Sequence, residues 1–128
     1  MPGRERYTSS IRIIRAEWRA IRTTSSVFLA DISRRTPVIV DEAYIEYAPR
    51  ARSAVALIRS GANVAVFRTL NKIYGLAGLP IGYLVAPPSL VHAFQEAGFG
   101  DAHGIGRLPI ATARAALADQ AWVAQVRT

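Results

Sequence analysis

Asp41, Tyr44 and Lys72 supply a carboxylate, a phenol and a primary amine, and all three stand at or just beyond the end of a short apolar run. Lys72 is the one lysine among sixteen basic residues, the rest being arginine. An amine condenses with an aldehyde to give a Schiff base, whereas a guanidinium stays protonated and is a poor nucleophile. A chain that uses arginine everywhere else keeps lysine where an amine is required. Simpler roles suit the same residues: Asp41 and Glu42 as solvated acids, Tyr44 as a half-buried packing residue, Lys72 as an exposed cation.

Other chemistries find less support. The chain has no cysteine, which removes disulfides, thiolate nucleophiles and cysteine-based zinc sites and suits a cytoplasmic location. His92 and His103 have no second ligand at metal spacing, so no metal site is expected. The stretch "GFGDAHGIG" (98–106) imitates a phosphate loop, but no Gly-Lys-Ser/Thr follows and it reads as a connection between two helices. Arrangements of the nucleophile-elbow kind are missing as well.

The elements that must place the three groups alternate along the body of the chain. "TPVIVDEAYIEY" (36–47) reads as a buried strand that ends in acids, and "ARSAVALIRSG" (51–61) as a helix stopped at Gly61. "NVAVFRTL" (63–70) and "IGYLVAP" (81–87) are two further strands. Helices are expected over "SLVHAFQEAG" (89–98), over "PIATARAALA" (109–118) with Pro109 in its first turn, and over "DQAWVAQV" (119–126) with Asp119 as its cap. This order specifies an α/β sheet with at least some parallel pairing, whose functional groups collect at the carboxyl ends of the strands. Asp41 and Lys72 occupy such ends.

At 128 residues, 51% of them hydrophobic, the chain has the length and the apolar content for one modest core. No apolar run is long enough to span a bilayer. The formal charge of +7 resides mostly in residues 1–35, which hold eight arginines against three acids, while the remainder holds seven arginines and Lys72 against six acids. A helix over "RYTSSIRIIRAEWRAIR" (6–22) would place Ile11, Ile14, Trp18 and Ile21 on one face, with Arg12, Arg15, Arg19 and Arg22 around it. Such a stretch can meet nucleic-acid phosphates or an anionic membrane. A solvated helix packed on a neighbour is the simpler reading, and there is no firm indication of either partner.

The pair "VIVDEAYIEY" (38–47) and "FRTLNKIYGLAGLPIGY" (67–83) resembles the cofactor-binding core of class I/II, fold-type-I, pyridoxal-phosphate-dependent aminotransferases, most closely those similar to histidinol-phosphate aminotransferase. The resemblance runs from about Phe28 to the C-terminus. It implies an incomplete part of the large domain of that fold, a mostly parallel sheet flanked by helices, with residues 27–128 as its central and C-terminal part and residues 1–26 as a basic leader of uncertain origin. It also implies pyridoxal 5′-phosphate as cofactor, an amino acid and a 2-oxo acid or phosphorylated keto compound as substrates, and a homodimer for the full-length enzyme. Decarboxylases and lyases share the core and form the alternative within the fold; a non-catalytic fragment with a basic leader is the alternative outside it.

Residue by residue, the resemblance implies that Lys72 forms the Schiff base with the cofactor and moves the proton between substrate and cofactor. Asp41 would keep the pyridine nitrogen protonated, Tyr44 would hydrogen-bond the ring oxygen, and Thr69 would help to bind the phosphate. Asn71 stands where members commonly have serine, with an amide that can still donate to phosphate. Pro80 stands where they commonly have a phosphate-clamping arginine; Arg68 and Arg107 are the candidates to replace it, although a structural role is expected for each. A glycine-rich phosphate loop, an aromatic residue stacking on the ring, an "NPxNPTG"-like segment and a substrate-carboxylate arginine are not found. Their absence, with an unfamiliar stretch from Met1 to Ser26, points to a truncated or frame-disrupted gene.

Overall fold

The computed structural model describes residues 12–14, 23–48, 50–79, 81–100 and 105–127. Among them run four strands, β1 (Arg12–Ile14), β2 (Val38–Asp41), β3 (Val64–Thr69) and β4 (Gly82–Val85), and five α-helices, α1 (Thr23–Ser33), α2 (Val55–Arg59), α3 (Pro88–Glu96), α4 (Arg107–Ala118) and α5 (Gln120–Val126). The strands form one sheet in the order β1-β2-β3-β4. β1 and β3 each flank β2 in parallel, and β4 closes the described edge antiparallel to β3. The expected α/β class holds, with a mixed sheet.

Alternation builds the core. Val38 pairs with Val64 and Val40 with Val66, so the four side chains share one face, and Val38, Val64 and Val66 are fully buried there. Leu29 and Ile32 of α1 and Val55, Leu57 and Ile58 of α2 cover that face. Burial of each such side chain contributes about 1.5–3 kcal/mol. Phe67 points to the opposite face, where it meets Phe94 of α3 edge to face with ring centroids 5.7 Å apart.

Two elements depart from expectation. Residues 12–14 form a strand where a basic amphipathic helix was expected, because Arg12–Ile14 align their backbone with Val38–Val40 of β2. The rest of that proposed helix, most of the 1–26 leader, Pro80 and His103 lie outside the described residues. The helix α1 was not expected, since "TTSSVFLADIS" opens with residues of modest helix propensity and forms on the strength of packing. The remaining strands and helices fall within or over the stretches expected for them, with β2 ending at Asp41 before a 3-10 turn at Ile45–Tyr47 and with α2 confined to Val55–Arg59, and Asp119 caps α5 by accepting from the Trp122 N–H at 2.9 Å.

The approach of β4 to β3 depends on Gly82, which faces Thr69; a Cβ there would lie 2.6 Å from the Arg68 carbonyl oxygen. No helix among the described residues is long and apolar enough to cross a membrane.

Candidate active site

The carboxyl ends of β2 and β3 lie side by side, with Asp41 in register with Phe67. At the exit of β2 the carboxylate of Asp41 is exposed, and its Oδ1 accepts from the Ala43 N–H at 3.0 Å, a local turn that starts the chain towards Tyr44. Glu42 continues the buried side of the alternation that Val38 and Val40 began, and it is 5% exposed. The solvated role offered for Glu42 is therefore corrected: strand periodicity points it inward. Its Oε1 accepts from the Ala54 N–H at 2.6 Å, and its Oε2 accepts from Ser53 Oγ at 2.9 Å and from Arg68 Nε and Nη2 at 3.1 and 2.9 Å. A buried carboxylate needs such a set of donors, and the two charged bonds that Arg68 gives to Oε2 are the strongest of them.

Arg68 also donates from Nη2 to Ser53 Oγ at 2.9 Å and from Nη1 to the Tyr83 hydroxyl at 3.4 Å, and Nη1 lies 3.9 Å from Glu46 Oε1. Burial alone would lower its pKa, but the hydrogen bonds to Tyr83 and Glu42 outweigh burial and hold it above the usual arginine value. Its guanidinium thus has the structural role expected for it. Arg107, the other candidate, is exposed in the first turn of α4.

At the exit of β3 the chain enters a closed loop. Leu70 and Ile73 are 2% and 1% exposed, and between them Asn71 is half-buried and Lys72 exposed. Thr69 Oγ1 accepts from the Asn71 N–H at 3.1 Å and makes a long 3.5 Å contact with the Ile81 carbonyl. With the Asn71 amide oriented to satisfy both its ends, its NH₂ donates to the Leu79 and Leu76 carbonyls at 2.8 and 3.1 Å. Both amide hydrogens are therefore spent inside the loop, and a contact from them to a phosphate would have to displace one of these bonds. From outside, Trp122 of α5 braces the loop, donating from Nε1 to the Ile73 carbonyl at 2.8 Å. Gly75, at φ +70°, makes the turn, and a Cβ there would sit 3.6 Å from the Trp122 ring.

The two exits meet at Lys72 and Tyr44. Lys72 Nζ lies 5.4 Å from the centroid of the Tyr44 ring, and among the described residues it takes part in no ion pair. Tyr44 is 45% exposed and tilted against Tyr47, with ring centroids 6.1 Å apart. Among the described residues the amine is thus exposed and without a carboxylate partner, over a phenol and beside the strand end that carries Asp41.

Beyond the loop, Tyr74, Thr112, Ala115, Ala116, Asp119 and Trp122 line a shallow cavity of about 280 Å³. Burial, followed by the charge of Glu46, raises the pKa of the Tyr74 phenol above its ordinary value. His92 lies 3.4 Å from Glu96 on the exposed side of α3, and no cluster of three or more ligating groups occurs among the described residues. Sequence reasoning missed the Glu42–Arg68 pair, although the strict in-out alternation from Val38 onward signals an inward Glu42.

Residues 15–122 match the model of the family described as aminotransferase class I and II. The chain is 40% identical over 100 residues to the histidinol-phosphate aminotransferase of Geobacter sp. (strain M21), a match covering 77% of this chain and 27% of that protein. It is 47% identical over 73 residues to the aromatic amino acid aminotransferase of Corynebacterium jeikeium, covering 56% of this chain and 20% of that protein. Among solved structures, histidinol-phosphate aminotransferase from Sinorhizobium meliloti in complex with pyridoxal-5′-phosphate superposes with a TM-score of 0.71 at 36% identity, over 81% of this chain and 28% of that one. The chain thus spans about a quarter of the length of the curated relatives it matches. With the strand exits, the two motifs and the fold in agreement, the chain belongs to the class I and II aminotransferases and is similar to histidinol-phosphate aminotransferases.

Proposed function

We propose that this chain is the cofactor-bearing core of a pyridoxal 5′-phosphate-dependent transaminase and that Lys72 holds the cofactor covalently. The observation that carries the reading is the single lysine amine, unpaired by any acid among the described residues, lying over Tyr44 at the strand exits that also carry Asp41. The donor set fits the group: an amine for an aldehyde, a carboxylate for a protonated ring nitrogen, and a phenol for a ring oxygen. When bound, the cofactor supplies an electron-withdrawing ring that accepts the electron pair left on the substrate α-carbon.

The protein's own residues do the rest. Lys72 would hold the cofactor through its amine and, with that amine free, would move the proton between the substrate α-carbon and the cofactor. Asp41, exposed and held by the Ala43 N–H, keeps the ring nitrogen charged. Tyr44 orients the ring through its hydroxyl. Thr69 contributes its hydroxyl to the phosphate by exchanging its long contact with Ile81, and Asn71 acts chiefly by fixing the loop that aims Lys72. Amino-group transfer from an amino acid to a 2-oxo acid or phosphorylated keto substrate is assigned to the whole enzyme, a cytoplasmic homodimer; the names of the relatives favour phosphorylated or aromatic side chains.

Titration of the purified chain with pyridoxal phosphate tests the assignment. A visible absorbance band that saturates in the wild type and is missing in Lys72→Ala is expected. Identical spectra for the two proteins would refute it.

A further inference from the structure

We propose that Arg68 is a positioning residue for Lys72. It holds Glu42 and Glu46, the acids on either side of Tyr44, against the end of β3, and so sets the Tyr44 ring beneath the Lys72 amine. The catalytic meaning of this rests on Lys72 as the cofactor-bearing residue; the geometry does not.

Tyr44 lies two residues from Glu42 and two from Glu46, and Lys72 lies four residues beyond Arg68. One guanidinium therefore grips both shoulders of the Tyr44 turn from the strand that delivers the lysine. Its Nε and Nη2 bond Glu42 at 3.1 and 2.9 Å, and its Nη1 faces Glu46 at 3.9 Å. The hydrogen bonds from Ile45 N–H to the Glu42 carbonyl and from Tyr47 N–H to the Tyr44 carbonyl shape the turn internally. They do not fix it to β3. The Glu42 N–H, donating to the Phe67 carbonyl at 2.8 Å, carries the ladder one residue past β2, and Arg68 adds side-chain ties from β3 to the Glu42 and Glu46 carboxylates. Glu42 and Glu46 are 5% and 9% exposed, and Arg127 donates to the Glu46 carbonyl from the end of α5. A planar fork suits this task, because it fixes direction as well as charge.

Because lysine occurs once, protein grown on ¹³C-lysine reports a single side chain in the free, cofactor-less chain. The ring current of Tyr44 is expected to move the Lys72 ε-methylene resonances upfield of their position in Tyr44→Leu. The double variant Arg68→Gln/Glu42→Gln, which leaves no unpaired carboxylate at position 42, is expected to lose that displacement while keeping its circular dichroism. Glu46→Gln, a milder change, is expected to lose part of it. Val64→Ala, which weakens the core at the far end of β3, is expected to keep all of it.

Three results would overturn the proposal: a wild-type resonance at the Tyr44→Leu position, an undiminished displacement in the folded double variant and in Glu46→Gln, or a displacement lost equally in Val64→Ala. Should the double variant not fold, Glu46→Gln decides. Failure of Lys72 to react with pyridoxal phosphate leaves these resonances unaffected and refutes only the functional reading.

Discussion

The exits of β2 and β3 lie next to each other and are held in opposite ways. At β2 the chain turns on charge, with Glu42 and Glu46 gripped by Arg68 and with Ser53 and the Ala54 N–H completing the set. At β3 it turns on apolar burial and backbone bonding, with Leu70 and Ile73 inside and the Asn71 amide and Trp122 Nε1 on backbone carbonyls. The charged exit carries Asp41 and Tyr44, and the apolar exit carries Lys72. The loop that bears the Lys72 amine thus holds no carboxylate, and the neighbouring turn holds Glu42 and Glu46, which Arg68 occupies.

The contrast can be broken at either end. Arg68→Met strands Glu42 without its cation, and removing one partner of a buried pair costs about 3–5 kcal/mol; equilibrium urea unfolding should show this as the largest loss. Ile73→Ala opens the apolar exit and is expected to cost about 2–4 kcal/mol in the same assay, with little dependence on ionic strength. Asn71→Ala removes two amide–carbonyl bonds and is expected to cost about 1–2 kcal/mol, and to speed hydrogen exchange at Gly75 and Leu76, which donate within the loop.

The smallest effect is a pH dependence. The raised pKa of Tyr74 means that the folded chain binds the phenol proton more tightly than the unfolded chain, whose value is near 10. Its contribution is whole below about pH 10 and drains away as the pH rises through the folded value. Tyr74→Phe should lose less stability than the wild type between neutral pH and the alkaline range, measured by thermal melts at each pH.

Much of this contrast is legible in the residues, and the reasons are local. Short β-branched runs gave β2 and β3, and the Asp41 and Lys72 positions follow from where those runs end. The cap at Asp119 is a local signal too. By contrast, Glu42 and Arg68 are 26 residues apart and Trp122 and Ile73 are 49 apart, so their bonds exist only once the chain has folded. β1 escapes notice because three residues, Arg-Ile-Ile, fit a helix face as well as a strand and need β2 beside them to decide. The motif resemblance carried the family, and it gave no warning that the Asn71 amide would be engaged within its own loop.

The most direct test uses the scarcity of amines in this chain. After brief exposure to substoichiometric pyridoxal phosphate, borohydride reduction fixes any imine, and peptide mapping compares Lys72 with the N-terminal amine of the same molecules. If the two strand exits build a cofactor site, the label is expected overwhelmingly on Lys72, and Asp41→Ala and Tyr44→Leu should each lower that preference. Equal labelling of the two amines in the folded wild-type chain would contradict it.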